Sequence, residues 1–319
     1  MFDMRAQNAN LSLPDPFLIR THFRLTASLH LFHVGDVSPR DGPRPSLSLS
    51  RKSQMNLRYL WHFVPKVIRV QCYRVLIKIG ELVFPPPFAG YLYRLPFGLY
   101  ARRSPCPPSN EVEALRLVEQ YTLIPSPLFV DEYQAETPVL IMTALPGKSL
   151  VQVYHRLSHP QRAQLSKDLK NVLLQLRHVP NRTLHAFANA HGGPLNETPL
   201  RLETYGPFEL ISDFNASLAY RCKRNETKEK ISKVHARQYR SFFTHANLHP
   251  RNIIIENGCL SGIVNWDSAG FYPEYWGFTN IMYGARWNRA IESIMSDVLT
   301  EDSSYEEELA AEKLLWSDF

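Results

Sequence analysis

No run of about 18 uncharged apolar residues occurs in the 319-residue chain, so the sequence predicts no transmembrane helix. Cysteine is scarce: Cys72, Cys106, Cys222 and Cys259 stand far apart and form no CxxC or Cys/His cluster. That excludes the usual spacing of a structural zinc site and makes a reducing, cytoplasmic compartment the default expectation. No glycine-rich G-x-G-x-x-G loop and no internal repeat is present. Acidic residues are sparse at one end only: residues 1–103 carry 15 Lys+Arg against 5 Asp+Glu, a net +10, while the remainder sums to −4. The basic balance therefore belongs to the first third and points away from nucleic-acid binding by the folded part. The contents of 44% apolar and 21% charged residues are ordinary for a globular chain of a size that supports two lobes with proper cores.

Residues 1–55, rich in Ser, Pro and Arg without a sustained period, are expected to be disordered. Their Arg-rich, acid-poor character also fits a transit peptide. Residues 57–83 mix apolar residues with Lys66, Arg69, Arg74 and Lys78 roughly on one helical face. Such a helix lies on a membrane surface or, as the favoured reading, packs on the domain. Residues 91–101 read as strand, with a turn or bulge at Pro96–Gly98. Residues 110–121 read as a helix with Asn110 as N-cap and Ala114, Leu115, Val118 and Tyr121 on one face. Residues 138–145 read as a buried strand ended by Pro146-Gly147. Beyond 150 the pattern turns helical: Ser158 and Gln161 form a capping box ahead of Leu165, Leu169, Val172, Leu173 and Leu176. Residues 191–207 are expected to be loop, and 286–316 mostly helical.

The stretch 244–276 carries the chemistry. Ile253–Ile255 is a strand of β-branched residues, Asn257-Gly258 is a favoured two-residue hairpin turn, and 259–264 returns. That turn sets Glu256 opposite Cys259, and the register places Asn252 opposite Ile263. Asn252 and Asn265 then share the open end of the hairpin, beside the polar loop 245–252. Such a mouth is either a ligand or metal platform or a solvated hairpin end.

The loop resembles the catalytic loop of the aminoglycoside phosphotransferase and choline kinase group, whose fold is that of protein kinases. Those enzymes carry His-Gly-Asp-Leu-His-x-x-Asn, a hairpin, and Ile-Asp-Trp-Glu. This chain reads His245-Ala246-Asn247-Leu248-His249-Pro250-Arg251-Asn252 and then Ile263-Val264-Asn265-Trp266-Asp267. The run Gly270-Phe271-Tyr272-Pro273-Glu274-Tyr275-Trp276 is similar to the fungal branch. The likeness runs from about 90 to 290 and includes Glu111, Leu145-Pro146-Gly147 and Gly206-Pro207-Phe208. It implies an α+β, bilobal protein-kinase-like fold, with a small sheet-containing N-lobe at 56–145 and a larger helical C-lobe at 146–319 holding 245–267.

The resemblance also implies roles. A loop Asp accepts the proton of the attacking hydroxyl, and Asn247 stands there. Asn252 keeps the position of a magnesium-binding Asn, whereas the main magnesium Asp is replaced by Asn265. Arg102 stands for the strand Lys that binds nucleotide phosphates, and Glu111 for its helix partner. Met142 and Thr143, within the strand 138–145, are further cofactor-binding positions that the resemblance implies. An amide is no base, and losing general-base help costs ~10²–10⁴-fold. An amide oxygen also brings no negative charge to a hard cation. Ala246 adds a Cβ where the family has Gly. Asp267, two residues beyond Asn265, reaches a metal only if the chain bends there. His245 and His249 are metal ligands or, as favoured, hydrogen-bond the loop; Trp266, Tyr272, Tyr275 and Trp276 stack a base or pack beneath it.

Two functions follow. One is a degenerate kinase-fold protein that binds a ligand or a protein partner without turnover and needs no cofactor. The other is an active phosphotransferase using ATP and Mg2+ on a small hydroxylated molecule, with Asn252 and Asp267 holding the metal. Membrane-surface contact through 57–83 is a third, separate reading.

Overall fold

The chain enters its first described helix at Arg51. The structure, a computed structural model, describes residues 51–85, 91–103, 109–196, 204–222, 224–299 and 305–318. Residues 51–55, expected to lack structure, belong to helix α1 (Arg51–Trp61); the rest of that expected segment lies outside the described residues. Pro65 then separates α1 from α2 (Lys66–Val83), because it lacks an N–H and disfavours helix at the residue before it. The 57–83 stretch is therefore two helices.

α2 buries Arg69, Tyr73, Ile77 and Gly80, a stripe of three- and four-residue steps. That stripe packs on one face of a four-stranded antiparallel sheet, against Tyr93, Leu95, Ala101, Val139 and Ile141. Gly80 permits the close crossing: a Cβ there would lie 2.3 Å from the Arg94 carbonyl oxygen. The sheet runs β1 (Leu92–Leu95), β2 (Leu99–Arg103), β4 (Pro138–Thr143), β3 (Phe129–Gln134). The turn between β1 and β2 falls at Pro96–Gly98, with Phe97 and Gly98 both left-handed.

Helix α3 (Ser109–Tyr121) lies on the other face. Its Val112 packs with Leu140 and Met142, while Ala114, Leu115 and Val118 join the large-lobe core. α3 is thus the seam between the lobes. Asn110 is not the cap expected of it. The helix opens one residue earlier, and the Asn110 amide donates to the backbone oxygens of Asp267 (2.7 Å) and Ala269 (3.0 Å).

After Thr143 a short link leads to β5 (Lys148–Ser149), then α4 (Leu150–Val153) and α5 (His159–Leu176). α5 carries the Ser158–Gln161 capping box and buries Leu165, Leu169, Val172 and Leu176. The segment 191–207, expected to be loop, contains a ladder of β7 (Leu195–Asn196) on β8 (Thr204–Tyr205); β6 (Ala188–Asn189) precedes it. Buried Leu195 and Tyr205 anchor that ladder, and two residues per strand are too few to show a period. Helices α6 (Ile211–Arg221) and α7 (Asn225–His235) lead to β9 (Ser241–Thr244), β10 (Ile253–Glu256), β11 (Cys259–Ile263) and β12 (Gly270–Pro273). Helices α8 (Trp276–Ala285), α9 (Arg289–Ser296) and α10 (Glu306–Asp318) close the lobe.

The β10–β11 hairpin turns at Asn257 (φ 52°) and Gly258 (φ 81°), and Glu256 opposes Cys259. Past Ile255 the register slips by one, so Ile263 faces Ile253 rather than Asn252. The cause is a bulge ahead of Gly262, which packs against Pro125; a Cβ there would sit 2.5 Å from the Pro125 oxygen. Asn252 instead accepts from the Val264 amide at 2.9 Å, which still keeps it at the hairpin mouth.

Candidate active site

Arg102 sits on β2 in register with Leu92 and Leu140, on the sheet face that packs against α3. Met142, two residues beyond Leu140, presents its side chain on that same face. Thr143 is spent inside the sheet, where its hydroxyl accepts from the Leu128 amide at 2.8 Å.

The Arg102 guanidinium, only 11% exposed, is the hub of the site. Its Nη2 lies 2.7 Å from Glu111 Oε2 on the first turn of α3. Its Nη1 donates to Asn265 Oδ1 at 3.2 Å and reaches Asp267 Oδ2 at 3.5 Å. Glu111 also accepts from the Trp266 amide at 3.2 Å. Burial pushes the Glu111 carboxyl above the ordinary carboxylate range, and Arg102 pulls against that rise. Burial disfavours the Arg102 charge, but Glu111 and Asp267 outweigh it and hold the guanidinium above its usual value. A guanidinium keeps its proton at any pH the fold tolerates, so the Arg102 charge always stands beside the Glu111 carboxyl. One cation of the small lobe is thereby shared among three acceptors, two of them on the large lobe.

Asn265 takes a left-handed backbone (φ 68°), which Asn tolerates better than most residues. The strand has ended at Ile263, and the bend brings Asp267 round to the guanidinium that Asn265 touches. The loop before the hairpin is held by its own backbone. Ala246 is also left-handed (φ 55°), a conformation that costs a non-glycine residue about 1–2 kcal/mol. His245 is fully buried, with Nε2 on the Val264 oxygen at 3.0 Å and Nδ1 accepting from the Asn247 amide at 3.2 Å. Those partners require the proton on Nε2, and burial pushes the imidazole down to about 4. His249 Nδ1 accepts from the Arg251 amide at 3.1 Å, and burial holds this ring at about 4 as well. Both rings order the loop through these hydrogen bonds. The Asn252 side chain donates to the Asn247 backbone oxygen at 2.8 Å, tying the end of the loop to its middle. Trp266, Tyr272, Tyr275 and Trp276 are all buried beneath the loop, where Trp266 lies edge-on to His245 at 4.5 Å, so none offers a ring face for stacking.

The geometry thus brings Arg102, Glu111, Asn265 and Asp267 to one point, with Asn247 and Asn252 beside it on the loop. A model of the phosphotransferase enzyme family matches residues 96–293, more than half of the sequence.

The chain belongs to that phosphotransferase family.

Solved structures of aminoglycoside phosphotransferase APH(4)-Ia share the fold. A thermostable mutant in its apo form superposes with a TM-score of 0.54 at 13% identity, covering 70% of this chain and 79% of that one. A thermostable mutant in ternary complex with AMP-PNP and hygromycin B gives a TM-score of 0.54 at 12% identity, with coverage of 70% and 79%. A further APH(4)-Ia structure gives 0.51 at 13% identity, with coverage of 70% and 78%. No curated protein matches the sequence. At these identities the likeness is one of fold.

The resemblance implies a divalent cation, and the donors here do not fit one. Asn252 and Asn265 bring no charge, and Asp267 is the single carboxylate of the expected set. The oxygens of Asn265 and Asp267 already face the Arg102 guanidinium, so a cation between them would meet a like charge within hydrogen-bond reach. No group of three His, Cys, Asp or Glu fit to hold a metal occurs among the described residues.

Two members of the network escape a pattern reading. Asn110, the apparent cap, and Asn196, in the apparent loop, both donate to the Asp267 backbone oxygen, at 2.7 and 3.0 Å. The usable signal for Asn110 was its place directly before Glu111 in a helix whose other face is apolar.

Proposed function

We propose that this phosphotransferase-fold protein binds ligand in the cleft of the fold without efficient phosphoryl transfer. The observation that carries the reading is the Arg102 guanidinium, which spans Glu111, Asn265 and Asp267 and occupies the donors a metal would need. The second support is Asn247, an amide that accepts no proton near neutrality at the position where the fold places its base. A nucleotide is the ligand class the resemblance suggests, since solved relatives were obtained with ADP and with AMP-PNP. The sheet face shared by Arg102 and Met142 is where its phosphates and base would approach. A small hydroxylated molecule is the second ligand class.

One observation favours the alternative, an active ATP-dependent enzyme with Asn252 and Asp267 on the metal. The bend at Asn265 does bring the Asp267 carboxylate to the hub of the site. Rates of ATP hydrolysis and of transfer to hydroxylated acceptors separate the two. The expectation is negligible turnover by the wild type and a gain of ~10²-fold or more in Asn247→Asp/Asn265→Asp. Robust wild-type turnover that the double substitution leaves unchanged sinks the proposal.

A further inference from the structure

Eleven of the nineteen large apolar side chains exposed among the described residues lie between Met55 and Val83. That concentration is independent of the cleft and is what a surface in need of a partner shows. α2 buries one stripe on the sheet, and the opposite side of the same helix is apolar too. Ile68, Val75, Ile79 and Leu82 are 53%, 55%, 38% and 86% exposed. At 100° per residue they fall within about 60° of one another, in a ridge roughly 20 Å long. Arg74 and Lys78 stand exposed along one edge of that ridge. Leu60 near the end of α1 and Phe63 in the link after it are exposed just ahead of it in the chain.

Charge selects the occupant. Residues 51–85 hold seven Lys+Arg against one Glu. Two of the cations turn inward, Arg58 to Glu119 and Arg69 to Asp131, while Arg74 and Lys78 form a basic rim beside the apolar ridge. A second copy docked by a two-fold axis would set the same basic rims against each other. The first 50 residues, with five Arg and four Asp, offer no acidic counterpart. An anionic bilayer supplies both halves: apolar depth for the ridge and lipid phosphates for the long cationic side chains at its edge. No described helix is long and apolar enough to cross a membrane, so the association is one of surface contact.

We propose that the outward face of α2 docks the protein onto an anionic lipid surface, with the helix axis in the membrane plane. The test is co-sedimentation of the full-length chain with phosphatidylcholine vesicles, plain or mixed roughly 2:1 with phosphatidylserine. Binding is expected on the mixed vesicles and weakens with added salt. Val75→Asn with Leu82→Asn, both on the exposed ridge, should lower partitioning about tenfold or more. Arg74→Gln with Lys78→Gln should lower it about fivefold per charge removed. Melting temperatures close to wild type establish that these variants are folded. Failure of the wild type to sediment with mixed vesicles overturns the proposal. So does binding that both variant pairs leave unchanged, because the contact then runs through another surface such as residues 1–50. A light-scattering mass of two copies, halved by Val75→Asn/Leu82→Asn, would likewise overturn it by giving the ridge to a second chain.

Discussion

Replacing Arg102 with Met removes the cation at the hub while keeping an apolar stem of similar length. Glu111 would then stay at 1% exposure with its carboxylate facing no opposite charge. Removing one partner of a buried pair costs about 3–5 kcal/mol, most of it the isolated charge left behind. For a chain of this size that lowers the melting temperature by roughly 6–20 °C. The loss must depend on pH. Without Arg102 only the Trp266 amide opposes the burial that already raises the Glu111 carboxyl, so its folded pKa climbs further above its unfolded value. A carboxyl raised in the folded state favours folding below its unfolded pKa and loses that benefit as pH rises through the folded one. The Arg102→Met deficit should therefore be largest near neutrality and shrink toward about pH 5. Denaturant unfolding at about pH 5 and about pH 8, on wild type, Arg102→Met and Arg102→Met/Glu111→Gln, measures it. The double variant should recover much of the loss, because the buried group is then neutral and still accepts from the Trp266 amide. A single-variant deficit below about 1 kcal/mol, or one equal at both pH values, refutes the ion-pair hub.

Further outcomes are expected elsewhere. His235, His245 and His249 are each held near 4 by burial, whereas unfolded they protonate near 6.5. The unfolded chain therefore binds more protons between these values, and stability should be full above pH 6.5 and fall toward pH 4. His245→Gln, which loses the titrating ring, should flatten part of that slope, and an unchanged slope contradicts the buried, neutral imidazole. Gly147→Ala should destabilise by about 1–3 kcal/mol, since φ there is 111° and a Cβ would lie 2.3 Å from the Ile255 oxygen. Neutral behaviour of Gly147→Ala in a melting scan would show the link between lobes to be more pliant than its packing suggests.

Much of the site was legible because its residues come from one contiguous stretch. The Asn257-Gly258 turn fixed the hairpin, and the hairpin fixed where Asn252 and Asn265 meet. The register was off by one past Ile255, because the bulge answers to Pro125, a residue far away in sequence. The partnership of Arg102 with Glu111 came from the family resemblance, since β2 and α3 carry no mark of facing each other. Asn110 was misread for a related reason: Asn before an apolar run signals a cap, and its actual partners, the Asp267 and Ala269 carbonyls, lie in the other lobe. Periodicity found α5 and the closing helical stretch of the large lobe but did not single out α6, α7 or α8, and it missed β7 and β8, whose two-residue strands carry none. For α2 the sequence reading favoured packing on the domain over lying on a membrane surface. The structure gives the helix a buried stripe and leaves an exposed apolar stripe opposite it.

The proposed function requires Arg102 to stand where a metal centre would be. Thermal unfolding of the wild type should be titrated with ATP, once with excess Mg2+ and once with a chelator. A ligand at 100 times its Kd raises stability by about 2.7 kcal/mol, so cation-assisted binding is plain in such a scan. The predicted result is a wild-type melting temperature that does not distinguish Mg2+ from chelator, with a magnesium-dependent rise appearing in Asn265→Asp. A clear magnesium-dependent rise in the wild type would contradict the claim.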